Sequence, residues 1–405
     1  MVFGLFVFLF GLDYARLFFT SKEPVAHRLS PARLSNGEEN TISITVKNAF
    51  KFPVHLEIID ELPEQLQIRN FTRKLFLTGK ENGRISFSLL PLERGEYHFG
   101  NILLYLSTRL GLVSRRFISG AEEIVPVFPA FLHLNKYEII SNATLAFESG
   151  TKRMKRIGQS MEFEQIKGYV SGDDIRILNW KASARNGALM VNHYMEERSQ
   201  QVYCIIDKGR LMKMPFGGLS LLDYAINSTL ALSGVSLKKQ DRVGLITFSN
   251  TLDTILAADR KSTQKEKILQ LLYKQETGFL ESDFEMLYGE IRNKIRHRSL
   301  LILFTNFESV SGLERQLKYV RALAKYHLLL VVFFENTELN TLSEKEATDL
   351  EEVYIKTIAD KFAYEKRLIA KELSKYGILS ILTAPQKLTI NTINKYLELK
   401  RREAI

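Results

Sequence analysis

Apolar and polar positions change rhythm along this chain. Between residues 24 and about 130 the period is two: NTISITVKN puts Ile42, Ile44 and Val46 on one face and Thr41, Ser43, Thr45 and Lys47 on the other, as in a half-buried strand. VHLEIIDELP and RISFSLLPL read as further strands ended by prolines, and ERGEYHFGNILLYL as a hairpin or strand pair. Turn signals recur at SNGEEN, KENG and ERGEY. With no convincing long amphipathic helix among them, these short strands predict an antiparallel, immunoglobulin-like β-sandwich. From residue 201 the pattern differs. QVYCIID, DRVGLITFS, SLLILFT, HLLLVVFFE and ILSILT are apolar runs. DTILAADR is a short hairpin-like segment after the second of them. Helical periodicity fills the gaps at SLLDYAINSTLALSGVSLKK, 261–275, 283–297, LERQLKYVRALAKY and roughly 355–376, with a basic helix from about 386. Buried strands alternating with helices predict a doubly wound, Rossmann-type parallel sheet covered on both faces.

The first residues follow neither rhythm. MVFGLFVFLFGL carries no charge before Asp13, Arg16 and LFF. Twelve helical residues span about 18 Å, against roughly 30 Å for a hydrocarbon core. The expectation is a short membrane anchor over residues 1–22, read as the second half of a helical hairpin; a buried first strand or helix is the alternative. The segment lacks the basic start and small-residue cleavage site of a secretory signal. Arg16, Lys22 and Arg28 follow it, so the positive-inside bias puts the bulk of the chain on the cytoplasmic side of the inner membrane. The organisation expected is then 1–22 anchor, 23–130 β-sandwich, 131–200 connector, and 201–405 doubly wound domain.

Composition narrows the function classes. A length of 405 residues implies two or three domains, and 45% hydrophobic with 25% charged residues is ordinary for folded cores. The lone Cys204 excludes an internal disulfide framework and a cysteine-rich zinc site; mid-strand in an apolar run, it reads as core packing. The net charge of +10 is spread along the chain rather than gathered into a stripe, which argues against nucleic acid and leaves attraction to anionic lipid as an alternative to a cationic solvated surface. The basic TKRMKR reads as a solvated linker, with phosphate or lipid headgroups as its other reading. No P-loop, GxGxxG, GxSxG or HExxH occurs. His193 lies close to Glu196 and Glu197, but alternation in a strand does not build a metal triad.

In doubly wound sheets ligands bind at the carboxyl ends of strands, here IID ending at Asp207 and LFT before Asn306. The arrangement resembles a von Willebrand factor A domain. That fold's magnesium site uses an Asp-x-Ser-x-Ser loop, a later threonine and a further aspartate, with one position open for a partner's acidic residue. Asp207 matches the first aspartate. Gly209 and Leu211 stand at the two serines, Ser282 or Asp283 at the threonine, and Asn306 at the last aspartate. The expectation is a degenerate site with no bound cofactor; magnesium at Asp207 is the alternative.

The densest cluster of functional residue types is GDDIRILNWKASARNGALMV. Asp173 and Asp174 read as an N-cap of a short helix, Gly187 as its left-handed exit, and ALMVNHYMEE as a following strand. Arg176 and Arg185 are fork-shaped donors suited to Asp173, Asp174, Glu196 or Glu197, and Trp180 is expected to seat the helix against a core. No nucleophile with an adjacent base occurs here. On Gly172, Asp173, Asp174, Arg176, Trp180, Lys181, Ala184, Arg185, Glu196 and Glu197, the chain resembles the family known as domain of unknown function 58. Asn179 and Asn192 depart from it, standing where an aspartate and an arginine are common; together they remove one ion pair. The segments Arg-Gly-x-Tyr and Leu-Gly-Leu upstream also look like the family. The resemblance implies a membrane-anchored bacterial protein with a β module and a degenerate von Willebrand A-like domain, working beside MoxR-type AAA+ ATPases and other von Willebrand A proteins. A non-enzymatic scaffold or adaptor is therefore expected, with the signature as a structural clasp that doubles as a docking epitope. The alternatives are a metal-assisted or acid–base enzyme centred on Asp173, Asp174, Asp207 and His193, and binding of nucleic acid or anionic lipid.

Overall fold

The computed structural model describes residues 2–20, 22–69, 71–120, 122–130, 161–170, 173, 175–196, 200–344 and 349–402. The chain forms two compact units. One comprises Met1–Asn135, Met212–Leu230 and Glu266–Gly278; the other comprises Lys136–Leu211, Ala231–Lys265 and Phe279–Ile405.

Among the described residues the first unit opens with helix α1, Val2–Phe18, followed by strands β1 (Val25–Leu29), β2 (Leu34–Ser35), β3 (Asn40–Lys47), β4 (Val54–Asp60), β5 (Thr72–Leu77), β6 (Asn82–Leu89), β7 (Gly95–Phe99), β8 (Ile102–Ser107), β9 (Ser114–Ser119) and β10 (Glu123–Phe128). They form sheets β1-β3-β6, β5-β4-β8-β9 and β2-β10-β7. Ile42, Ile44 and Val46 of β3 are buried in one apolar core with Leu56, Leu104 and Tyr97, as alternation requires. Two features differ from the pattern-based expectation. The β2–β10 pairing is parallel. The ERGEYHF and NILLYL runs do not form a hairpin: β7 pairs with β10 and β8 with β4 and β9. The chain turns a corner between sheets there, because Glu61 captures both ends of it. Its carbonyl accepts from Gly100 N at 2.8 Å, and its carboxylate accepts from Asn101 N at 2.8 Å.

The second unit carries a six-stranded mixed sheet in the order β17-β16-β13-β18-β19-β20, from β13 (Gln201–Asp207), β16 (Arg242–Phe248), β17 (Leu252–Asp259), β18 (Leu300–Phe304), β19 (Leu328–Phe334) and β20 (Leu379–Thr383). The labels β14 (Pro215–Phe216) and β15 (Leu219–Ser220) fall to a small ribbon of the first unit. All pairings of the sheet are parallel except β16–β17 at the edge, as the hairpin-like DTILAADR suggests. Tyr203 and Ile205 face one core, shared with Phe284, Leu313, Val320 and Ile369; their neighbours Val202, Cys204 and Ile206 are equally buried on the opposite face. That two-sided burial is why these strands are near-continuously apolar. The described helices after α1 are α2 (Trp180–Asn186), α3 (Leu221–Lys238), α4 (Thr263–Tyr273), α5 (Phe284–Lys294), α6 (Val310–Tyr326), α7 (Thr337–Glu344), α8 (Leu350–Lys375) and α9 (Leu388–Arg401). Tyr396 and Lys400 of α9 hold the buried Asp241 before β16, at 2.5 Å and 2.7 Å.

A further ribbon was not legible as such: β11 (Met161–Gly168) pairs antiparallel with β12 (Met190–Glu196), and α2 lies in the loop between them. Among the described residues no helix is long and apolar enough to cross a membrane.

Candidate functional site

Counted along the sheet, the strands run third, second, first, fourth, fifth, sixth. The order reverses between β13 and β18, and a doubly wound sheet opens a crevice at the carboxyl ends of the two strands flanking such a switch. Asp207 ends β13; Thr305 and Asn306 follow β18. A cleft of about 100 Å³ lies there, lined by these residues with Arg210, Ser282 and Arg315.

Asp207 is buried at the cleft floor, and both its carboxylate oxygens are committed. Oδ1 accepts from the Ser282 hydroxyl and from Gly209 N at 2.8 Å; Oδ2 accepts from the Thr305 hydroxyl at 2.6 Å. Burial pushes the carboxyl above the ordinary aspartate value, while the hydrogen bonds from Ser282, Thr305 and Gly209 pull it back. A Cβ on Gly209 would overlap the Ser282 hydroxyl, so the missing side chain admits Ser282 to the carboxylate. Asn306 is also buried, and its Oδ1 accepts from Lys366 Nζ at 2.5 Å. Burial lowers that amine to about 8, against the opposing pull of Glu308. At the mouth, Glu281 bridges Arg210 at 3.6 Å and Arg315 at 3.8 Å, all three well exposed.

The signature stretch folds differently. Asp173 takes the Val170 N–H at 3.1 Å and pairs with Lys167 at 3.3 Å. A single 3₁₀ turn, Ile175–Ile177, follows. The N-cap of α2 is Asn179, whose Oδ1 accepts from Ala182 N at 2.9 Å, and the helix exits through Gly187 at φ 67°. The expected cap at Asp173 is thus replaced by one six residues on, because Asp173 is spent on closing the preceding turn. Asn179 Nδ2 donates to Asn192 Oδ1 at 2.7 Å. Asn179 and Asn192 therefore meet across the turn through their side-chain amides. Trp180 is 69% exposed, and Ile175 and Leu189 of the same stretch are exposed as well. It seats nothing in a core, because α2 rests on a two-stranded ribbon and buries none of its residues.

Residues 165–364, which span both the turn and the cleft, match the family model described as protein of unknown function DUF58. Over that span the chain belongs to this family. The uncharacterized protein YeaD of Bacillus subtilis (strain 168) is 24% identical over 189 residues, 45% of this chain and 47% of YeaD; the match spans about half that relative's length. Among solved structures, the conserved hypothetical protein BatB from Bacteroides thetaiotaomicron is similar over 50% of this chain and 100% of its own, at 13% identity and TM-score 0.34. The CARDB domain of the PF1109 protein from Pyrococcus furiosus is similar over 26% of this chain and 92% of its own, at 14% identity and TM-score 0.20.

Within the DUF58 segment, Gly209 and Ser282 come together on Asp207, and Leu211 and Asn306 line the cleft beside it. Ser282 is the residue that reaches Asp207; Asp283 instead caps α5 through Met286 N at 3.0 Å. Gly172, Asp174 and Glu197 lie outside the described residues, as do the side chains of His193 and Glu196. Arg176, Lys181 and Arg185 are exposed. Reading the sequence alone missed Thr305, adjacent to a position inspected only for its acid, and Lys366, sixty residues from Asn306 on a helix with no motif of its own.

Proposed function

We propose that this chain is a non-catalytic, membrane-associated docking protein, its second unit a von Willebrand factor A-like domain and its partner a MoxR-type AAA+ ATPase. The observation that carries the reading is the exposure of Trp180 at 69%, in the segment that carries the family signature, on a turn fixed by the Asn179 cap and the Gly187 exit. Tryptophan is the side chain most enriched among energetic anchors of interfaces, and a pre-ordered turn loses little freedom on binding. The strand order and its single antiparallel edge support the von Willebrand A-like assignment.

The donor set at the cleft does not fit a resident magnesium ion. Gly209 and Leu211 have no side-chain oxygen, Asp207 spends both oxygens internally, and the Asn306 oxygen takes the Lys366 ammonium. Hard cations need several free oxygens. Calorimetric titration with magnesium, manganese or calcium is expected to give no tight stoichiometric binding; tight binding abolished by Asp207→Ala would favour the metal-assisted reading instead. The docking proposal itself is tested by native pull-down of the full chain with the ATPase, with and without nucleotide. Co-purification is the expected result, and its absence in both states counts against the proposal.

A further inference from the structure

The most unusual group in the first unit is Asp13, a fully buried carboxylate that follows an uncharged apolar run in α1. Its Oδ1 accepts from the Thr108 hydroxyl, and its Oδ2 from Leu112 N and Val113 N at 3.1 Å each. One turn on, Leu17 is fully buried in the β core. Arg115 of β9 donates to the Leu17 carbonyl at 2.7 Å and lies over the Phe18 ring at 5.1 Å. The C-terminal third of α1 is thus bolted to the loop 108–113 and to β9.

The rest of α1 is the reverse. From Phe3 to Leu12 every position is exposed except the half-buried Leu9; Phe3 is 80% exposed and Phe8 62%. A protein groove covers one face of a helix, whereas apolar side chains exposed on all sides call for a surrounding apolar medium. Beyond Leu12 come the exposed aromatics Tyr14, Phe18 and Phe19 and the exposed Arg16, Arg109 and Arg116. This is the order of groups met on leaving hydrocarbon for an anionic headgroup layer.

We propose that Phe3–Leu12 is a prong lying in the hydrocarbon of a lipid bilayer, and that Asp13 is the latch holding the β-rich unit at a fixed angle and depth to that surface. The proposal rests on the membrane part of the function proposed above and adds that the prong is a rigid mount rather than a tether. A buried, triply hydrogen-bonded carboxylate gives up those bonds only at a large cost, so the helix does not swivel freely at its exit.

The test uses the full chain reconstituted with vesicles of phosphatidylcholine and phosphatidylglycerol. Cys204 is buried, so a nitroxide reagent reaches only an introduced thiol, at Phe8→Cys in the prong or Leu110→Cys on the latch loop. The chain is expected to float with the vesicles, and the double variant Phe6→Glu with Phe10→Glu to lose most of that flotation. The label at 8 should lie deep and the label at 110 at headgroup depth. In Asp13→Leu the label at 8 should stay deep while the label at 110 moves into water with a broad depth distribution. Thr108→Val, which removes one donor and keeps the shape, should shift label 110 in the same direction if Asp13→Leu proves unfolded. Unchanged flotation of the double glutamate variant would overturn the prong; an unmoved label 110 in the folded latch variants would overturn the latch. A chain that floats and latches yet ignores the ATPase would sink only the docking to the ATPase, whereas a chain that binds the ATPase without floating would sink this proposal together with the membrane part of the proposed function and leave the docking standing.

Discussion

Gly209 is glycine because the Ser282 hydroxyl occupies the space that a Cβ would fill. Gly209→Ala should therefore cost about 1–3 kcal/mol, the usual penalty of overpacking a tight site, read from denaturant unfolding; an unchanged midpoint would mean Ser282 has room to move. Asp207, the residue Ser282 reaches, makes a pH-dependent contribution with a definite sign. Its carboxyl is raised in the folded state, so the folded chain holds that proton more tightly than the unfolded chain. The associated stability is complete below the ordinary aspartate value and is lost as pH rises through the raised folded value. Asp207→Asn does not titrate, so the stability difference should move in favour of the variant as pH rises across that window. A difference that is flat with pH, or moves the other way, would show that the hydrogen bonds outweigh burial.

Asn179 before α2 and Asn192 in β12 are coupled by one amide contact. Asn179 caps the helix with its oxygen and reaches Asn192 with its nitrogen, so a single amide does both jobs. Asn179→Asp keeps the cap but faces a neutral neighbour, and Asn192→Arg brings a cation without a partner. The two together should form an ion pair, with a coupling of about 0.5–3 kcal/mol in a double-mutant cycle of unfolding free energies. Strict additivity would mean that the two positions are independent. The paired departure was visible in the sequence because both residues sit inside a recognisable motif. The burial of Trp180 was misjudged there because its hydrophobicity was weighed without knowing what lay beneath α2; a two-stranded ribbon offers no second layer to receive it. The ribbon strand β11 was missed for a related reason: MEFEQIKG interleaves charge with apolar residues and lies next to an irregular basic stretch. Four apolar strands of the six-stranded sheet, β13, β16, β18 and β19, were legible because burial on both faces writes an uninterrupted apolar run; the half-buried edge strand β20 is apolar too, and the intervening helices were equally legible.

For the whole molecule, the two rhythms of the sequence correspond to two kinds of unit: alternating strands around one core in the first, and a six-stranded sheet between two apolar faces in the second. What alternation could not convey was the corner at Glu61 that sends β7 and β8 to different sheets, since a pattern of period two is the same whichever sheet receives it. Nor could it convey the Lys366–Asn306 contact, which depends on where a long helix comes to rest. The docking proposal draws these levels together, because it places the binding anchor on an exposed, pre-ordered turn rather than at the strand-end chemistry. Its most direct test is the affinity of the MoxR-type ATPase for wild type and Trp180→Ala, measured beside their thermal melts. The account predicts matching melts, since an exposed side chain contributes less than about 0.5 kcal/mol to stability, and binding weakened about thirtyfold or more, the scale of a 2 kcal/mol anchor. Equal affinity for the two chains, or a variant that loses its fold, would contradict it.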